Sequence, residues 1–142
     1  MLKQLSYGLL LLALSVCVHA VGMTAMLRWL LRVHPRVGTR FLPVTWLLIK
    51  LAWSLIAVHL VEIAIWALFF CVKGCMPDVE SAFYFAGVTY TTLGYGDLVL
   101  PKGWRLLGPI EGLTGILMCG LSTGFFFAVV TKLLIQTKEV SD

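Results

Sequence analysis

The chain has 142 residues, of which 60% are hydrophobic and only 13% charged, with a formal net charge of +4. An ordinary soluble domain carries about 25% charged residues, so this composition excludes one and points to a chain dissolved in lipid. A helix needs ~20 apolar residues to cross a bilayer, and three stretches meet that requirement.

The first stretch, Leu5 to Leu27, carries no Asp, Glu, Lys or Arg and runs on through Trp29-Leu30-Leu31. Its start imitates a secretory leader, with Lys3, an apolar run from Leu9 to Val16, and Val18-His19-Ala20 at the place of a cleavage site. The apolar run does not stop there, so residues 1–31 are expected to remain as a membrane helix. Arg28, Arg32, Arg36, Arg40 and Lys50 follow, with His34 among them. Basic residues collect on the cytoplasmic side of a membrane, which makes 32–46 a basic cytoplasmic linker and puts the N-terminus outside. Voltage-sensing helices carry their arginines within the membrane. Here the charges gather at a helix end, and Pro35 and Pro43 interrupt them.

The second stretch, Leu47 to Val72, is apolar apart from Lys50, His59 and Glu62. Lys50 is expected to snorkel to the inner interface. Cys71 and Cys75 flank Val72-Lys73-Gly74 at the outer end, where a disulfide can persist. A small bridged loop and a bridge between subunits are both open. Cys17 and Cys119 fall inside spans and are expected to be inert.

Between the second and third stretches lies Pro77 to Asp97, shorter and richer in Thr, Gly and Tyr. Pro77-Asp78 is a stop followed by an N-cap, and Glu80 adds negative charge to a first turn. A short helix from Val79 to Tyr90 is expected, its negative dipole end favouring a cation. Phe83, Tyr84, Phe85 and Tyr90 would form an aromatic cuff. Then come Thr91-Thr92-Leu93-Gly94-Tyr95-Gly96-Asp97. Gly94 and Gly96 tolerate φ > 0 without steric cost, so the backbone carbonyls here can all turn toward one axis. Carbonyls so arranged replace an ion's hydration shell. Irregular backbone at membrane depth survives only where protein buries it or it lines a water-filled cavity. G-Y-G-D also suits a simple hairpin turn.

The T-L-G-Y-G-D run resembles the selectivity filter of potassium channels, and the resemblance to their pore module covers Leu47 to Gln136. It implies that the carbonyls of Thr92, Leu93, Gly94 and Tyr95, with the Thr92 hydroxyl and the conformational freedom of Gly96, bind dehydrated K⁺. Thr91, Asp97, Val88, Tyr84 and Phe85 are then the filter's supports. Some family members have Glu where Val88 stands, and a Trp pair at the positions of Tyr84 and Phe85. Bonding of the cuff to Tyr95 is therefore expected to be weaker, or routed through Tyr84. The chain holds one filter segment and no repeat, so a closed ring needs several chains; the family implies four.

The third stretch runs from Leu106 to Gln136 and is apolar apart from Glu111 and Lys132. Gly112, Gly115, Gly120 and Gly124 thin it for close packing. Gly120 is the first choice for an inner-helix hinge and Gly115 the second. Ionisable residues within a membrane are functional candidates by default. His59 and Glu62 share a helix face, but two ligands make a poor metal site and no further histidine lies nearby in sequence. Glu62 and Glu111 are expected to hydrogen-bond behind the filter or shape the potential at its outer mouth. Residues 137–142 form a short cytoplasmic tail.

These readings give an all-α membrane protein with three spanning helices, a re-entrant pore helix and a filter, assembled as a homotetramer in the bilayer. Its expected activity is passive, potassium-selective conduction, without a cofactor, an enzymatic step or a nucleic-acid partner. A non-conducting accessory subunit and a less selective cation channel are the alternatives. If the first helix is retained, intact mass spectrometry of the membrane-purified protein will find no mature chain starting at Val21. Such a chain would refute the three-helix topology.

Overall fold

The computed structural model describes residues 2–37 and 41–141; Arg40 and Asp142, read above as part of the linker and the tail, lie outside them. Four helices follow one another: α1 (Leu2–Val37), α2 (Phe41–Val72), α3 (Val79–Tyr90) and α4 (Leu107–Ser141). Helices α1, α2 and α4 are each long and apolar enough to span a membrane, and α3 is the short re-entrant element. The boundaries of α3 are those the Pro-Asp signal predicts. Helices α1 and α2 extend into the segment expected to be linker, leaving residues 38–40 between them. Pro43 does not prevent this, because it falls in the first turn of α2, where backbone N–H groups have no helical partner anyway.

Helix α2 packs against all three others, and α1 lies against both α2 and α4. At the end of the bundle that carries Tyr7, called the outer end, Tyr7 of α1 meets Phe69 of α2 and Trp104 of the segment before α4, with ring centroids 5.5 and 5.9 Å apart. The Lys73 ammonium sits 4.9 Å from the Tyr7 ring centre. The start of α1 therefore lies beside the end of α2.

Two apolar clusters fill the bundle. The outer one gathers Leu11, Trp66, Phe70, Ala82, Phe85 and Leu107. The inner one gathers Met26, Leu30, Leu47, Leu51, Leu55 and Val129. Along α1, α2 and α4 alike, the buried polar residues fall between them: Ser15 and His19, then Glu62, then Glu111, Thr114 and Ser122. Lipid offers helices no hydrophobic reason to associate, so polar bonds and close backbone contact must hold them.

Glycine supplies the close contacts. A Cβ at Gly22 would stand 2.6 Å from Val58 Cγ2, where α1 crosses α2. A Cβ at Gly115 would stand 1.8 Å from the carbonyl oxygen of Tyr90, so α4 rests on the C-terminal backbone of α3. Gly120, by contrast, has open space where its Cβ would be. Backbone cannot yield as a side-chain tip can. Gly115→Ala should therefore cost roughly 1–3 kcal/mol through overpacking. Gly120→Ala should be neutral or stabilising by up to ~1 kcal/mol. Thermal unfolding in detergent checks both, and equal transition temperatures for the two variants would contradict the contact.

Candidate functional site

The site is built at the C-terminal end of α3. Asp78 caps the helix: its carboxylate accepts from the Ser81 backbone N–H at 2.8 Å and from the Ser81 hydroxyl at 2.9 Å. Those bonds, the backbone one foremost, hold the Asp78 carboxyl below its ordinary range. At the other end the Thr91 hydroxyl donates to the Gly87 carbonyl at 2.7 Å. The Thr92 N–H donates to Thr89 O at 3.0 Å, and the Gly94 N–H to Val88 O at 3.3 Å. The chain thus leaves the helix folded back upon it, and the carbonyl of Val88 anchors the turn.

The T-L-G-Y-G-D segment then alternates in hand. Thr92, Gly94 and Gly96 have φ of +62°, +57° and +77°, while Leu93 and Tyr95 between them stay at negative φ. In an ordinary extended chain successive residues face opposite ways. Reversing the hand at every second residue works against that alternation and allows successive carbonyls to turn to one side. The two glycines were legible in the sequence; Thr92 was not. A β-branched residue at positive φ is an outlier, and such strain, of order 1–3 kcal/mol, persists only where its surroundings enforce it. The helix-end bonds on either side of Thr92 do so.

All residues from Thr91 to Asp97 are exposed in the single chain. Leu93 is 59% exposed and Tyr95 66%, so the packing expected to hold the filter's width is absent within one chain. The expected aromatic cuff also divides. Phe83 and Tyr84 stay open. Phe85 turns into the outer core, its ring centroid 5.3 Å from that of Phe70. Tyr90 is buried, with its hydroxyl donating to Glu62.

Tyr84 bonds to Asp97 rather than to Tyr95: its hydroxyl donates to Asp97 Oδ2 at 2.7 Å. This bond holds the Asp97 carboxyl below its ordinary range and raises the Tyr84 hydroxyl. Cys71 and Cys75 are free thiols. Cys75 packs into the outer core, and the Cys71 thiol faces the carbonyl of Asp78 at 3.9 Å. The bridged loop within one chain is therefore not formed.

Beside the C-terminal end of α3 the structure joins residues that the sequence keeps apart. Glu62 Oε1 lies 3.0 Å from His19 Nδ1, and Oε2 lies 3.3 Å from His59 Nδ1 and accepts from Tyr90. His59 Nδ1 is 3.0 Å from the Tyr90 hydroxyl, and its Nε2 is 2.9 Å from Ser122 Oγ. His59 and Glu62 thus meet as their spacing predicts. Glu111 does not join them: it is buried, and neither carboxyl oxygen has a hydrogen-bond partner among the described residues. His19 was missed, although a histidine inside an apolar run is itself a signal.

A protein-family model described as "Ion channel" matches residues 45–132. The chain belongs to this pore-loop ion-channel family and, with three spanning helices, is a multi-pass membrane protein. No curated protein and no solved structure gives a significant match.

The bond between Tyr84 and Asp97 has a readable consequence. A carboxyl held below its ordinary range keeps this contact above that range and loses it as pH falls through the lowered value. Tyr84→Phe should let Asp97 titrate closer to the ordinary ~3.9, whereas Tyr95→Phe should not move it. Carboxyl-carbon NMR of Asp97 checks this, and an unmoved titration in Tyr84→Phe would contradict the bond.

Proposed function

We propose that this ion-channel family member is a potassium-selective channel, conducting passively through a pore shared by four copies of the chain. The observation that carries the reading is the alternating hand at Thr92, Gly94 and Gly96 within T-L-G-Y-G-D. Carbonyls turned to one side can replace the hydration shell of a K⁺ ion. In this reading Thr92, Leu93, Gly94 and Tyr95 supply those oxygens, and Gly96 sets the outer end. K⁺ is the permeant ligand, and no cofactor or catalytic step is involved.

The exposure of the filter supports the assembly. One chain has one filter segment, with Leu93 and Tyr95 uncovered. Neighbouring copies around an axis would cover them and close the carbonyl ring. Helices α1, α2 and α4 also leave large apolar side chains exposed, among them Leu60, Leu68, Ile116, Leu121 and Phe127. Lipid or neighbouring copies would take up that surface.

Arg28, Arg32, Arg36, Arg40 and Lys50 gather about the junction of the first two spans. Under the positive-inside rule that side is cytoplasmic, which places the N-terminus and the Asp97 end of the filter outside and the C-terminus inside. Gly120 has room for a Cβ, as Gly108 and Gly124 do, and stays the hinge choice in α4. Gly115 is committed to its contact with Tyr90.

Flux into liposomes holding the purified protein tests the function. K⁺ uptake blocked by Ba²⁺, with Na⁺ largely excluded, is the expected result. Equal Na⁺ uptake would indicate a less selective cation channel, and no uptake a non-conducting subunit. Gly96→Ala forces a Cβ into a left-handed position at roughly 1–2 kcal/mol. This variant should lose selectivity or conduction while still assembling. Unchanged K⁺ over Na⁺ selection in Gly96→Ala would refute the filter assignment.

A further inference from the structure

We propose that His19, His59 and Glu62 form a binding site for a divalent transition-metal ion of the zinc class, set where α1, α2, α3 and α4 meet. The sequence presents only two of these donors together, too few for a metal. The fold brings His19 from α1 to the other two, and one ligand atom from each residue lies within 4.8 Å of the rest. The carboxylate edges fit a metal: His19 Nδ1 is 3.0 Å from Glu62 Oε1, and His59 Nδ1 is 3.3 Å from Oε2. Zinc bonds of ~2.0–2.1 Å in a tetrahedron put neighbouring ligand atoms about 3.4 Å apart. Two imidazoles and a carboxylate suit zinc and its neighbours rather than calcium or magnesium, which take oxygen.

The positions of the protons strengthen the argument. Both Nδ1 atoms face Glu62, and both Nε2 atoms face one hydroxyl: Ser122 Oγ is 2.9 Å from His59 Nε2 and 3.4 Å from His19 Nε2. A neutral imidazole has one N–H and a serine hydroxyl one O–H. If both imidazoles carry their proton on Nδ1, two Nε2 lone pairs compete for the single Ser122 proton. If both carry it on Nε2, the two lone pairs of Ser122 Oγ accept both N–H groups. With one imidazole of each kind, protons alone satisfy the cluster; with both protons on Nε2, both Nδ1 lone pairs face carboxylate oxygens, and a cation completes that arrangement. Metal-bound histidines commonly donate their other N–H to a fixed acceptor that orients the ring, and Ser122 stands where that acceptor belongs.

The surroundings agree. His19 and Glu62 are 1% and 0% exposed, while His59, at 18%, is the one member open to an entering ion. The Tyr90 hydroxyl, 3.0 Å from His59 Nδ1 and bonded to Glu62, is the adjacent donor for a fourth position. A bound ion would tie α1 and α2 to the last residue of α3, two positions before Thr92. Any effect on conduction rests on the channel reading, but binding itself does not.

The test uses the full chain in detergent, stripped with a chelator, incubated with Zn²⁺ and desalted before metal analysis. One Zn²⁺ per chain is expected. His19→Gln and Glu62→Gln should lose it, and Ser122→Ala, which removes no ligand, should bind ~10–100-fold more weakly. Cys71→Ser with Cys75→Ser should bind as the parent does. With Co²⁺ in place of Zn²⁺, visible ligand-field bands should appear in the parent and vanish in His19→Gln. Gel-filtration position and the thermal transition identify variants that keep the fold. No Zn²⁺ retained by the parent would overturn the proposal. So would undiminished affinity in a folded His19→Gln together with Ser122→Ala.

Discussion

Glu62 sits midway along α2 with no exposed surface, and an ionised carboxyl left unpaired in such a place is among the most expensive features a fold can contain. The molecule is arranged around relieving it. Tyr90 comes from the end of the pore helix, His19 from α1 and His59 from one turn back on α2. Ser122 of α4 closes the circuit through the far nitrogens of both imidazoles. Every helix contributes a group. In membranes such bonds contribute about 0.6 kcal/mol each on average. Several meeting at one carboxyl define a register that apolar contacts alone, equally content with lipid, would leave loose.

The T-L-G-Y-G-D segment inherits its position from that layer. Tyr90 is held twice, by its hydroxyl at Glu62 and by its backbone against Gly115 of α4. Thr91 and Thr92 follow directly, bonded back to Gly87 and Thr89. This explains how a threonine can keep a left-handed backbone: the residues before it cannot shift to release the strain. The far end of the segment is held differently, by Tyr84 on Asp97, where both groups are exposed in the single chain. A rigid inner anchor and a lighter, titratable outer one flank the same short segment.

One chain is nevertheless an incomplete object. The residues that alternate in hand are exposed, and so is much of the apolar surface of the three spanning helices. Membrane helices show outward apolar residues as a matter of course. An exposed irregular backbone at membrane depth does not persist unless protein or a water-filled cavity covers it. On the proposed channel reading, neighbouring copies and a water-filled pore supply that cover for Thr91 to Asp97.

Element identity was legible in the sequence because it depends on local chemistry. Apolar length alone marks α1, α2 and α4, and Pro77-Asp78 fixes the start of α3. The glycines at 94 and 96 announce left-handed backbone because only glycine takes it freely. Basic residues in the segment after α1 suggested a linker, but helix formation there is decided by backbone bonding, and the helices run further than charge implied. What tertiary structure alone decided is which side chains meet. Phe85 and Tyr84 are adjacent in sequence, yet the helix turns one into the core and the other toward Asp97. His19 and Glu62 stand 43 residues apart, and only the crossing of α1 on α2 makes them partners. Gly115 and Gly120 look alike as letters, and the approach of the α3 backbone separates them. Local propensity is written residue by residue, whereas the distance between two helix faces depends on every side chain packed between them.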